Sequence, residues 1–172
     1  GKTEVLGIRS FASLELMYFS KANNYKGIII PENQNLQVWG DFMIFDINND
    51  GRLDIVVQDF DTVYALYQNQ NFNFTVKSIE LNWNNCCNPT AKMSVGDLDN
   101  DGDLDLVFPE QGNVDYDISW FENIGGELYK HQITGELDGV RIPKLVDFDY
   151  DGDLDILTTV SSGTINTTED EL

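Results

Sequence analysis

Three stretches of this chain set carboxylates at alternate positions and then turn on a glycine. They are Asp46-Ile47-Asn48-Asn49-Asp50-Gly51-Arg52-Leu53-Asp54, Asp97-Leu98-Asp99-Asn100-Asp101-Gly102-Asp103-Leu104-Asp105 and Asp147-Phe148-Asp149-Tyr150-Asp151-Gly152-Asp153-Leu154-Asp155. Oxygen-bearing side chains stand at positions 1, 3, 5 and 9 of each stretch, and glycine at position 6. A hard cation such as Ca²⁺ takes about 6–8 oxygen ligands, and Asp-x-Asp-x-Asp-Gly is one way of supplying them. Alternate residues on a curled backbone point at one centre. The glycine permits the curl, because it alone takes positive φ at no steric cost. Position 7 (Arg52, Asp103 or Asp153) offers its backbone carbonyl, so its side chain is free to vary. The expected metal residues are therefore Asp46, Asn48, Asp50, Arg52 and Asp54, then Asp97, Asp99, Asp101, Asp103 and Asp105, then Asp147, Asp149, Asp151, Asp153 and Asp155. They serve about three Ca²⁺ ions.

The closing ligand separates these loops from EF-hands. An EF-hand closes with a Glu at position 12. Here that position holds Val57, Phe108 and Thr158, which cannot do the job. The closing acid is Asp54, Asp105 or Asp155 at position 9, and the residues after it are apolar and β-branched, which reads as a strand. An ordinary Asp/Asn/Gly hairpin turn also fits one such stretch. Three copies with the same acids fit it poorly, since carboxylates crowded together repel.

The loops start 51 and 50 residues apart, and the elements around them repeat with them. A short strand is predicted before each loop (42–45, 93–95, 144–146) and a second directly after it (53–57, 104–108, 154–158). A third carries the aromatics (14–19, 63–67, 118–122), and a fourth ends on Ile30, Ile79 or Ile133. Tyr67-Gln68-Asn69 and Phe121-Glu122-Asn123 serve as a second landmark, with Phe74 and Leu128 five residues beyond each Asn. Asn123-Ile124-Gly125-Gly126 is a turn sequence. No amphipathic helix is evident.

Four strands in about 50 residues is the pattern of a β-propeller blade. The expected fold class is all-β: blades of four antiparallel strands, with the calcium loop between the first and second strands. The expected division is a half blade (third and fourth strands) in 1–40, whole blades in 41–91 and 92–141, and the first half of another in 142–172. About three blades cannot close a ring, which usually has about 4–8. The chain therefore reads as a slice of a longer protein, completed by further blades of that protein or by other copies.

These loops, together with Ser119-Trp120-Phe121-Glu122-Asn123-Ile124-Gly125-Gly126, resemble FG-GAP/VCBS repeats. Such repeats build the integrin-α-like propellers of integrin heads, T-cell immunomodulatory-type proteins, some lectins and many microbial surface proteins. The Phe-Gly and Gly-Ala-Pro signatures of integrin blades are absent, so the VCBS branch fits better. The resemblance implies calcium loops on a lower face and ligand contact on an upper face. It places the upper loops at 31–41, 58–62, 80–92, 109–117 and 134–142. Exposed loops on a rigid scaffold are where binding usually resides, and an aromatic among amides suits a sugar. Trp83, Cys86, Cys87, Glu110, Asn113 and Asp115 are the candidate ligand residues. Trp120, in a third strand, reads as a packing residue. Cys86 and Cys87 are adjacent. They form a strained vicinal disulfide, pair elsewhere in a larger protein, or stay free; the cysteine count does not decide.

Charge bounds the partners. The chain of 172 residues has 30 acidic and 10 basic residues, a net charge of −20. The three loops hold three, five and five of those acids, and three bound Ca²⁺ bring the net charge to about −14. Nucleic acid and anionic membranes should be repelled. With 41% hydrophobic residues, and 10 Phe, 7 Tyr and 3 Trp, it is not a disordered acidic tail. No apolar run approaches the roughly 18 residues of a membrane helix. Asn73-Phe74-Thr75 and Asn166-Thr167-Thr168 are glycosylation acceptors in a secreted protein.

An enzyme is not expected. The one histidine, His131, has no Ser or Cys partner motif, and no phosphate loop or zinc spacing appears. The expected function is an extracellular or cell-surface calcium-binding module, reached through the secretory pathway, for non-catalytic recognition or adhesion towards protein or glycan. Two alternatives remain: a building unit of an extracellular filament or matrix, and the propeller of a polysaccharide-degrading enzyme.

Overall fold

The apolar run behind each acidic loop folds as a strand that begins on the loop's last aspartate. The computed structural model describes residues 4–10, 14–20, 28–30, 41–58, 62–70, 73–80, 92–111, 116–134 and 142–159. Thirteen strands, β1 to β13, are its regular elements, and no helix among the described residues is long and apolar enough to cross a membrane. The chain divides into two units, Gly1–Asn82 and Trp83–Leu172.

The first unit holds two sheets. β1 (Glu4–Ser10), β2 (Leu14–Ser20) and β3 (Ile28–Ile30) form an antiparallel sheet in that order. β4 (Phe42–Phe45), β5 (Asp54–Gln58), β6 (Thr62–Gln68) and β7 (Phe74–Glu80) form a four-stranded antiparallel meander. β5 is buried along its whole length, as a continuous β-branched run requires.

The second unit repeats the meander with β8 (Ser94–Gly96), β9 (Asp105–Gln111), β10 (Tyr116–Ile124) and β11 (Glu127–Thr134). It adds the pair β12 (Lys144–Val146) and β13 (Asp155–Leu157). The register is the same three times: Phe45 faces Asp54, Gly96 faces Asp105 and Val146 faces Asp155. Each acidic loop thus joins the first two strands of its sheet. Gly125 and Gly126, at φ 60° and 91°, close the β10–β11 hairpin. Two positive φ values in a two-residue loop are what the strand twist favours.

Within this unit the β12–β13 pair packs on the meander. Val107 and Ile118 are buried, with Leu98, Trp120, Leu145 and Ile156 against them. Gly96 marks the closest approach: a Cβ there would lie 2.8 Å from Leu154 Cδ1 and 2.9 Å from Leu145 Cδ1. Ser94 Oγ donates to the Pro143 carbonyl at 2.5 Å. Phe108 and Phe121 are the largest fully buried side chains, each stabilising by about 1.5–3 kcal/mol.

The sequence places the three meander positions well but misses two features. β1 has no counterpart in the expected N-terminal strands, because it is held to β2 by backbone pairing rather than marked by residue type. The stretch 109–117, expected as an upper loop, is largely a strand pair: Glu110 faces Asp117 and Pro109 faces Ile118. Its polar side chains hid it, whereas the pairing is made by the backbone.

Candidate metal centre

The three acidic loops are wired alike. The N–H of the position-6 glycine donates to the position-1 aspartate: Gly51 to Asp46 Oδ2 at 2.7 Å, Gly102 to Asp97 Oδ2 at 3.1 Å, Gly152 to Asp147 Oδ2 at 3.2 Å. The position-5 N–H donates to the position-3 side chain: Asp50 to Asn48 Oδ1 at 3.3 Å, and Asp101 to Asp99 and Asp151 to Asp149 at 3.2 Å. The position-7 N–H donates to the position-5 carboxylate: Arg52 to Asp50, Asp103 to Asp101 and Asp153 to Asp151, at 2.8–2.9 Å. Gly51, Gly102 and Gly152 have φ of 84°, 96° and 103°, with nothing near an added Cβ. The backbone conformation is what requires glycine there.

This curl gathers carboxylates. Asp97, Asp99 and Asp101 bring one oxygen each within 4.8 Å of one another, and so do Asp147, Asp149 and Asp151. At about 4 Å, two unit charges repel by roughly 1–4 kcal/mol between bulk water and a protein surface. One oxygen of the position-1 aspartate in each triad, Asp97 Oδ1 and Asp147 Oδ1, is buried without a hydrogen-bond partner. A buried carboxylate oxygen is costly unless something positive meets it, so the donor set fits a hard cation. Asp97, Asp99 and Asp101 would hold one ion, and Asp147, Asp149 and Asp151 another.

The first loop differs. Asp46 Oδ1 accepts the Asp50 N–H at 3.0 Å, position 3 is the neutral Asn48, and the Arg52 guanidinium pairs with Asp50. Arg52 Nε also donates to the Gln68 carbonyl at 2.8 Å. The position-7 side chain is therefore not idle. In the second loop Asp103 Oδ2 accepts the Gly125 N–H at 2.8 Å. In the third, Asp153 Oδ1 accepts from Asn100 Nδ2 at 2.6 Å.

The position-9 aspartates sit apart from the triads. Asp54 and Asp105 are fully buried. Asp54 accepts the N–H of Ile47 at 3.0 Å and of Gln68 at 2.7 Å; Asp105 accepts those of Leu98 at 3.0 Å and Asn123 at 2.8 Å. Asp155 accepts the Phe148 N–H at 2.8 Å. Burial pushes the Asp54 and Asp105 carboxyls above the usual carboxylate range. The backbone N–H groups they accept, and for Asp105 the Trp120 indole, pull the other way. Asp54 and Asp105 thereby tie the loop to the end of the third strand.

That tie also corrects the repeat frame. Asp54 meets Gln68 and Asp105 meets Asn123, while Leu66 and Phe121 face Ile55 and Leu106. Gln68, not Asn69, is thus the counterpart of Asn123. Five residues separate the paired Gln68 and Phe74, against four between the paired Asn123 and Leu128, and a one-residue slip exchanges the faces of a strand.

A family model for FG-GAP-like repeats matches residues 46–108 and again 97–158. The chain belongs to the FG-GAP-like repeat family. Each match runs from the first residue of one acidic loop, through its meander and the next loop, into or just past the strand that follows. Comparison with curated proteins and with solved structures gives no match.

The expected ligand residues fare differently. Trp83, Cys86, Cys87, Asn113 and Asp115 lie outside the described residues, as does the sequon at Asn166. Glu110 lies in β9. Asn73 is exposed on the β6–β7 connection. Trp120 is half-buried against the Val107–Ile118 cluster, as a packing residue would be. Sequence reasoning missed position 4, where Asn49, Asn100 and Tyr150 take φ of 54°, 59° and 66°. The signal was present in two loops, since Asn enters this region more readily than most residues.

Proposed function

We propose that this chain is a run of β-propeller blades whose acidic loops bind Ca²⁺, and that it serves non-catalytic recognition or adhesion towards a protein or glycan outside the cell. The observation that carries the calcium reading is the buried, unpartnered carboxylate oxygen at Asp97 and again at Asp147, each beside two further carboxylates. Bound calcium neutralises the triads and fixes the hairpin between the first and second strands. The family and the repeated four-stranded meander support the propeller.

His131 supports the non-catalytic reading. Its ring lies against Trp120, with centroids 4.9 Å apart, and Nε2 donates to Glu122 Oε2 at 2.7 Å. Those contacts describe an exposed strand residue resting on its neighbours. The net charge of −20 speaks against nucleic acid and anionic membranes as partners.

A thermal melt in EDTA, in Ca²⁺ and in Mg²⁺ tests the calcium reading. A large calcium-selective rise in Tm is expected, and an unchanged Tm overturns it. A glycan array and a protein-capture screen, both in calcium, test recognition. Product release from a polysaccharide panel would instead make the chain part of an enzyme, and concentration-dependent assembly without ligand would make it a structural unit.

A further inference from the structure

The second and third loops touch. Asn100, at position 4 of one, donates its side-chain N–H to Asp153 Oδ1, at position 7 of the other, at 2.6 Å. We infer that these two loops take up calcium as a coupled pair, with the Asn100–Asp153 contact carrying the coupling. This rests on the calcium reading above.

The contact sits between ligand residues on both sides. Asn100 lies between Asp99 and Asp101, two members of one triad, and its φ of 59° is part of the curl that aims them at one centre. The backbone N–H of Asp153 donates to Asp151 Oδ1 at 2.9 Å, and Asp151 belongs to the other triad. An ion in the second loop fixes Asp99 and Asp101, and therefore the amide held between them. That amide holds Asp153, and Asp153 orients Asp151. The second ion meets a loop already partly ordered, and a ligand that binds after ordering binds more tightly. Repulsion between the two ions opposes this. Each loop carries five acids, so it remains negative after taking one dication, and salt screens charges at an exposed surface over about 8 Å. Ordering prevails, and the coupling is positive.

The test uses the full chain labelled with ¹⁵N-glycine and titrated with Ca²⁺. The amides of Gly102 and Gly152 each donate within one loop, so each reports its own loop. In the unaltered chain both signals move together, along a curve steeper than independent sites give. Asn100→Gly keeps the left-handed backbone at no steric cost and removes the amide. It should flatten both curves to those of independent sites and raise the calcium needed, by up to about fivefold, the size of one exposed side-chain hydrogen bond. Asp153→Asn keeps an Oδ1 acceptor and should preserve the joint transition. Identical curves for the unaltered chain and Asn100→Gly overturn the coupling while leaving calcium binding intact. So does loss of the joint transition in Asp153→Asn, which would make the effect one of charge alone. Two glycine signals that never respond to calcium in the unaltered chain overturn the calcium reading itself.

Discussion

Asp105 reaches Asn123 across the sheet: its buried carboxylate accepts the Asn123 backbone N–H through Oδ1 at 2.8 Å and the Leu98 N–H through Oδ2 at 3.0 Å. One side chain thereby joins the acidic loop, the strand it begins and the end of β10. Removing it leaves two N–H groups without this acceptor, at about 1–3 kcal/mol each for a buried donor. Asp105→Ala should therefore cost about 3 kcal/mol, or about 10 °C in Tm for a chain of this size. The loss should appear in EDTA as well as in calcium, because these bonds need no ion. Thermal unfolding in both buffers checks it. A loss confined to calcium would make Asp105 a metal ligand first and a strand tie second.

The same burial sets a pH dependence. Asp54 and Asp105 have carboxyls raised above the ordinary value of 3.8, chiefly by desolvation. A raised acid binds its proton more tightly in the folded chain than in the unfolded one. The resulting stability is fully present below 3.8 and is lost as pH rises through the raised value. In EDTA, stability should fall as pH rises out of the acid range, and repulsion among the other carboxylates acts in the same direction. In calcium the trend should reverse, because the ion needs ionised ligands. Urea unfolding at several pH values, with and without calcium, measures both slopes. A rise with pH in EDTA would contradict the assignment.

Much of this architecture is legible in the residues. Acidic loops followed by Ile55-Val56-Val57 and Leu106-Val107-Phe108 announce strands, because β-branched and apolar runs fit a buried sheet position. The triads were legible too, since alternate acids before a glycine have few other uses. The bonds made by the position-7 and position-9 side chains were not. Gln68, Asn123 and Gly125 meet those particular side chains through backbone N–H or carbonyl groups, and a backbone contact imposes no residue type, although the Asn123 side chain also donates to the Leu104 carbonyl. The frame shift between Leu66 and Phe121 was hidden likewise, because hairpin length is a property of the backbone.

Arg52 predicts unequal sites. Its guanidinium pairs with Asp50, and Asn48 supplies no charge, so the first loop offers a cation less than the other two. Calorimetric titration should show two tight ions and one weaker. Arg52→Ala frees Asp50 and should tighten the weak site by about tenfold, the scale of one charge-assisted contact removed from a ligand. Loss of the Arg52–Gln68 bond costs little, since both groups are exposed. Three equal sites in the unaltered chain would rule the pairing out as a determinant.

Tyr150 stands where Asn49 and Asn100 stand in the other loops, at φ 66°. A bulky aromatic in the left-handed region is strained by about 1–3 kcal/mol, and its ring recovers nothing by burial, because the residue is 90% exposed. Tyr150→Gly removes the strain but gives the unfolded chain more freedom, which offsets up to about 1 kcal/mol of the gain. Tyr150→Asn avoids that penalty, because Asn tolerates the left-handed region with a side chain in place. The expected order of stability is therefore Asn above Gly, and both above Tyr, with about 1 kcal/mol between the extremes. That corresponds to about 2–4 °C in Tm. Melting the three proteins in EDTA isolates the backbone effect from ion binding, and a Tyr form at least as stable as the Asn form would show that the ring is held by something other than its own loop.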